Sequence, residues 1–330
     1  MKHTIFSISK YLVVLFFLGL TNQLQAQETI VTYIKKDGGF TPLQDSAAYT
    51  SIVHLQPNEA GLYQLREYYP NGNLKRRGWV KAADPKRLRF EGLVEDFYDN
   101  EILKSTYQYS NDRLLDTAKK YYRNGGLKET IVHLKPTTPP TDLSPRDLSG
   151  RLVYYADSLG HVQVSNGNGI ATIIRDETKK EQGEYINGLR EGHWTGFLHN
   201  GKSQFEEWYN NGILEKGVTT DSLGQQHKYT QKDVEPEYPG GIMQLRMFIG
   251  NNYRYPAEAI KANVSGQLLI SFVVEKTGKT SEHKIINDLG YGTGQRAIEV
   301  LKRAKDWTPG YHRGLPVRVA YSVPIQLNLN

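Results

Sequence analysis

The feature that most constrains this chain is a recurring element: one or two aromatics, a spacer, Asn-Gly or a variant of it, then an apolar residue and, in most copies, a basic one. It reads Tyr68-Tyr69-Pro70-Asn71-Gly72-Asn73-Leu74-Lys75, then Tyr121-Tyr122-Arg123-Asn124-Gly125-Gly126-Leu127-Lys128, then Trp208-Tyr209-Asn210-Asn211-Gly212-Ile213-Leu214-Glu215. A decayed copy, Phe97-Tyr98-Asp99-Asn100-Glu101-Ile102-Leu103-Lys104, has Glu101 where the others have glycine. Asn-Gly populates the positive φ values that two-residue hairpin turns require, and the flanking aromatics suit a pleated surface. Each hairpin cannot bury its own apolar face, so successive hairpins must stack into an elongated, twisted antiparallel sheet. A content of 22 Tyr and 31 Gly fits such a series of short tyrosine-bearing strands and glycine turns.

These units resemble the MORN family. Gly183-Glu184-Tyr185 with Asn187-Gly188, Gly192 and Trp194 gives the closest match to its pattern. The resemblance implies a scaffold, a protein contact or a lipid contact. The residues themselves fit either a spacer sheet with core aromatics or an exposed aromatic face that binds a ligand. Proline density at Pro136-Thr137-Thr138-Pro139-Pro140-Thr141 and Pro145 precludes a central strand. The chain therefore divides into a repeat block at 27–135, a proline-rich linker at 136–149, a second block at 150–220, a polar connector at 221–234 and a carboxy-terminal domain at 235–330.

Ahead of the repeats, Lys2 and Lys10 flank or precede the ten-residue apolar stretch Tyr11–Leu20, and Ala26 suits the position before a cut. As helix, ten residues span about 15 Å against a bilayer core of about 30 Å. A cleaved signal peptide at 1–26, a mature start near Gln27 and a place in the periplasm or cell envelope are expected. The rival reading is an uncleaved anchor. The chain has no cysteine, so no disulfide framework or thiolate metal site can form. Of the net charge of +6, Lys2 and Lys10 lie in the leading segment and most of the remaining excess at 235–330, and no basic run goes beyond Lys75–Arg77, which argues against nucleic acid. Gly290-Tyr291-Gly292-Thr293-Gly294 lacks the spacing and the Lys-Ser/Thr step of a phosphate loop. His193 and His199 have no cluster of further ligands around them, and no serine sits in a nucleophile elbow. No cofactor, metal or catalytic residue is predicted, and an enzyme is not expected.

The pattern changes at Glu235. Ile242–Gly250 and Ala257–Ala262 read as short helices, Gln267–Glu275 and Lys279–Ile286 as a hairpin around Thr277-Gly278, Thr293–Ala304 as a helix and Val317–Leu327 as a last strand. That is an α+β domain with a three-stranded antiparallel sheet. Pro236-Glu237-Tyr238-Pro239-Gly240-Gly241, Tyr255-Pro256 with Ala259, Gly266, Trp307-Thr308-Pro309-Gly310, Gly314-Leu315-Pro316-Val317 and Val323-Pro324-Ile325 together resemble the C-terminal domain of TonB energy transducers, in its Bacteroidetes form. The resemblance implies binding of the TonB box, an extended segment of outer-membrane receptors, by addition of a strand to an open sheet edge. Carried over, the edge is Val317–Gln326, with Val317, Val319, Tyr321 and Val323. The segment Asn251–Pro256, with Asn252, Tyr255 and Pro256, also approaches the peptide. An anchored chain would in addition meet inner-membrane motor proteins. The alternative is a structural envelope protein whose repeat sheet is the main contact.

Overall fold

The computed structural model describes residues 28–133, 150–176, 179–198 and 201–328. The expected signal segment and proline-rich linker lie outside them. Among the described residues the protein is mostly antiparallel β-sheet, and its three α-helices all fall after residue 240, an α+β fold overall. None of these helices is long and apolar enough to cross a membrane. Contacts divide the chain into two units, one reaching Glu101 and taking in Tyr109–Arg113, the other comprising Ile102–Gln108 and Leu114–Asn330.

In the first unit, Thr29–Ile34, Tyr49–His54, Tyr63–Tyr68, Leu74–Val80 and Phe90–Phe97 pair antiparallel in turn. Val53, Leu65 and Val80 are fully buried and form its core. The turn at Asn71-Gly72 is longer than the two-residue turn expected from sequence. Tyr69 N–H donates to Asn73 O, Gly72 N–H donates to Tyr69 O, and of the Asn-Gly pair only Gly72 has positive φ, at 86°. This is the three-residue loop in which a turn is followed by one left-handed residue. The Asn71 side chain accepts from Asn73 N–H and donates to Asp99 O, while the Tyr69 hydroxyl donates to Phe97 O. The tyrosine and asparagine of one copy thus latch onto the backbone of the next.

The decayed copy keeps this geometry without its glycine: Glu101 N–H donates to Tyr98 O and Glu101 takes φ 64°. A left-handed L-residue costs roughly 1–2 kcal/mol, partly offset in a glycine variant by its freer unfolded chain. Glu101→Gly should raise stability by about 0.5–1 kcal/mol, seen as a higher melting temperature; a lower one would mean that the Glu101 side chain makes a stabilising contact.

In the second unit the latch recurs. The Tyr122 hydroxyl donates to Ala156 O and the Asn124 amide to Ser158 O. A six-stranded antiparallel meander follows: Gly169–Asp176, Lys179–Ile186, Leu189–Leu198, Ser203–Asn210, Ile213–Thr220 and Gln226–Tyr229. Here Asn187-Gly188 and Asn211-Gly212 are true two-residue turns, with positive φ at both residues. One face of this meander is buried. On it Gly183 lies under the Trp194 ring, Gly196 under Phe205 and Gly217 under Tyr229, so close that a Cβ would fall 2.2–2.4 Å from ring carbons.

The segment 221–234, expected as a polar connector, is mostly exposed and also carries two short strands. Gln226–Tyr229 extends the meander, and Asp233–Val234 pairs with Gly310–His312, which pairs in turn with Leu315–Val317. Its polar composition masked a strand whose role is to lay Tyr229 over Gly217.

The carboxy-terminal region has a three-stranded antiparallel sheet with Gly266–Val274 in the centre, Thr280–Asn287 on one side and Val319–Leu327 on the other. Helix α1, Gly241–Asn252, buries Leu245 and Ile249; it runs through Gly250, two residues further than its sequence suggests. Helix α2 is Ala257–Lys261, and helix α3, Thr293–Leu301, is capped by Asp288, whose carboxylate accepts from the Thr293 hydroxyl and Gly294 N–H. Alternate residues of Gly266–Val274 and Val319–Leu327 join these helices in one core, closed by Trp307 against Tyr238, Phe272 and Tyr321.

Candidate functional site: an open strand edge and its groove

Two strands end the three-stranded sheet, and they differ. Thr280–Asn287 pairs with the central strand through two register shifts and holds Glu282 at φ 50°. Bulges and charge of this kind make an edge a poor template for another strand. Val319–Leu327 pairs with the central strand without a shift over nine residues, from Val319 opposite Val274 to Leu327 opposite Gly266.

Pro324 lies within that unbroken register, opposite Leu269. Because proline has no N–H, a continuous ladder requires its nitrogen to face away from the central strand. Residues two apart share that direction, so the backbone of Ala320, Ser322, Pro324 and Gln326 is turned to the open side. The same four residues carry the exposed side chains, while Val323, Ile325 and Leu327 are buried.

A groove of about 520 Å³ runs along the later half of this strand. Arg246, Ile249, Gly250, Tyr253 and Tyr255 form one wall, and Gln267 with residues 324–328 the other. The Tyr253 and Tyr255 rings meet edge to face at 5.4 Å. The Tyr253 hydroxyl donates to Thr293 O; burial, then Tyr255 and Asp288, push its pKa up to about 12. The Tyr255 hydroxyl is buried without a hydrogen-bond partner, and burial raises its pKa too. Among the described residues Arg246 makes no ion pair, and its side chain donates one long hydrogen bond, to Met243 Sδ at 4.0 Å. The result is an apolar trough beside the open edge, with the exposed Arg246 on its rim.

The residues named from sequence fall in different places. Tyr255 lines the groove. Asn252 does not, since its amide donates to Phe248 O at the end of α1. Pro256 precedes α2 outside the groove lining. Val317 belongs to the short strand Leu315–Val317 and pairs with Gly310, so it is not part of the edge. Val319 and Tyr321 are in the edge strand, but by the proline argument their backbone groups serve the internal ladder, and Tyr321 packs against Trp307 at 4.9 Å. Val323, 1% exposed, offers its side chain to the core alone. Tyr253 lies in the segment 251–256 named from sequence, whereas Arg246 and Ile249 were missed because they read in sequence only as part of an amphipathic helix.

The family model of the Gram-negative bacterial TonB protein C-terminal matches residues 251–329. The match covers α2, α3, the three-stranded sheet and the groove's far wall, and begins within the last turn of α1. That family is one of transport and energy transduction across the envelope, not of enzymes. No curated protein matches the chain.

Proposed function

We propose, taking as premise that residues 251–329 form a TonB C-terminal domain, that this protein acts in TonB-dependent transport by binding TonB-box segments of outer-membrane receptors through strand addition at Val319–Leu327. The carrying observation is the nine-residue unbroken register of an edge strand whose one proline is turned outward. An incoming strand would find N–H donors at Ala320, Ser322 and Gln326, carbonyls at all four outward residues, and the groove beside α1 for its side chains. Arg246 on the rim suits a carboxylate of that peptide. The repeat sheet serves as a spacer within the envelope.

Proline scanning along the strand tests this. Each net hydrogen bond contributes roughly 0.5–1.5 kcal/mol, and a proline ring adds a clash with the incoming chain. Ser322→Pro should leave the domain folded by circular dichroism and weaken titrated TonB-box peptides at least tenfold. Tyr321→Pro removes a donor from the internal ladder and should lower the melting temperature sharply instead. A folded Ser322→Pro protein that binds as tightly as the parent rules out strand addition at this edge.

A further inference from the structure

The hairpin Gly310–His312 and Leu315–Val317 turns at Arg313-Gly314, both left-handed, with φ 50° and 75°. A long cationic residue is a poor choice for that backbone, and one held there points to a role elsewhere. Arg313 is only 3% exposed. Its Nε donates to Glu207 at 2.7 Å and its Nη2 to Glu181 at 3.0 Å, and the guanidinium lies 3.6 Å over the Phe205 ring. The backbone is held as well: Arg313 O accepts from the Thr219 hydroxyl at 2.7 Å, and Arg313 N–H donates to Lys232 O. Every one of these partners belongs to the repeat meander or to the segment that follows it.

The socket is built for a cation. Glu207 also accepts from the Tyr209 and Tyr229 hydroxyls at 2.8 and 2.9 Å. Arg190 pairs with Glu181 and stacks over Trp194 at 4.0 Å. Tyr209 occupies the place in its repeat that Tyr69 and Tyr122 occupy in theirs. Those two latch onto a following hairpin, whereas Tyr209 turns to the carboxylate that Arg313 completes.

We propose that the hairpin at 310–317 is the cap of the repeat meander, so that the carboxy-terminal domain and the second repeat block unfold and bear load as one body, with Arg313 as the pin. Stacked repeats need a terminal element unlike themselves to cover their last face. Arg318 alone separates this hairpin from the edge strand, so tension on a peptide added there reaches the pin along a short length of chain. That mechanical consequence rests on the strand-addition reading; the coupling itself does not.

Hydrogen exchange on the full mature chain, without peptide, tests the coupling. In the parent, the slowest amides of Ser203–Asn210 and of Gly266–Val274 should open together. In Arg313→Ala, amides of Ser203–Asn210 and Ile213–Thr220 should exchange at least tenfold faster than in the parent, ahead of Gly266–Val274, and protease should begin to cut within 221–234. Arg313→Lys, which keeps the charge, should fall between the two. The proposal is overturned if the two strand sets open independently in the parent, or if Arg313→Ala leaves the meander's protection unchanged. Because no peptide is used, a failure here is distinct from a failure of strand addition.

Discussion

Glu207→Ala should cost the second unit about 3–5 kcal/mol in a chemical-denaturation titration, the range for removing one partner of a buried ion pair. Glu207 is fully buried and receives Arg313 and two tyrosine hydroxyls, with Lys232 at 3.9 Å and Arg190 at 3.8 Å. Without it, three cations would share one carboxylate, that of Glu181, and the buried Tyr209 hydroxyl and part-buried Tyr229 hydroxyl would lose this acceptor. A loss below about 1 kcal/mol would equate the cluster with a surface pair and contradict this account.

The cluster also sets a pH dependence with a definite sign. Burial acts to raise the pKa of Glu181 and Glu207, but for Glu181 the charges of Arg190, Arg313 and Lys232, and for Glu207 the Arg313 hydrogen bond with Lys232, outweigh it and hold both below the ordinary 4.5. Their contribution is complete above that ordinary value and is lost as pH falls beneath it. Lys232 is lowered from 10.5 to about 8 by burial and by Arg190 and Arg313. Between those two values the unfolded chain binds more protons at this site, so this lysine makes stability rise with pH there. Glu207→Ala removes an anion that supports the charged lysine, so the window should widen downward.

Much of this architecture was legible in the residues, because hairpin turns and alternating aromatics are local. The stacked hairpins and the strands of the carboxy-terminal sheet follow from period-two patterning and turn chemistry, while the ordered motifs from Gly266 to Val323 were read by resemblance. Turn length was less legible. Asn-Gly alone does not distinguish the two-residue turn at Asn211-Gly212 from the three-residue loop at Asn71-Gly72, which is settled by register with the neighbouring strand. The open edge was legible as a strand, but which of its residues face outward was not. Val319, Tyr321 and Val323 attract notice as apolar, and apolarity marks the buried face, whereas the open backbone belongs to Ala320, Ser322 and Gln326. The Arg313 socket left the least trace, since Glu181, Glu207 and Arg313 are joined only by long-range folding and each looks in isolation like a surface charge.

Trp194→Ala should cost about 3–5 kcal/mol, because removing a fully buried ring leaves a cavity. It meets Tyr185 edge to face at 5.1 Å, its Nε1 donates to Glu184 O, and Arg190 lies over it. Its underside is set by Gly183, where a Cβ would stand 2.2 Å from the ring. Gly183→Ala should therefore also destabilise, by roughly 1–3 kcal/mol, through overpacking. The two changes share one space, so the double variant tests the cause. With the ring gone, the methyl added at Gly183 enters the vacancy, and the double variant should lose at least about 1 kcal/mol less than the sum of the single losses. Strict additivity in denaturation titrations would mean that Gly183 is required for its backbone alone and that the ring does not dictate the glycine beneath it.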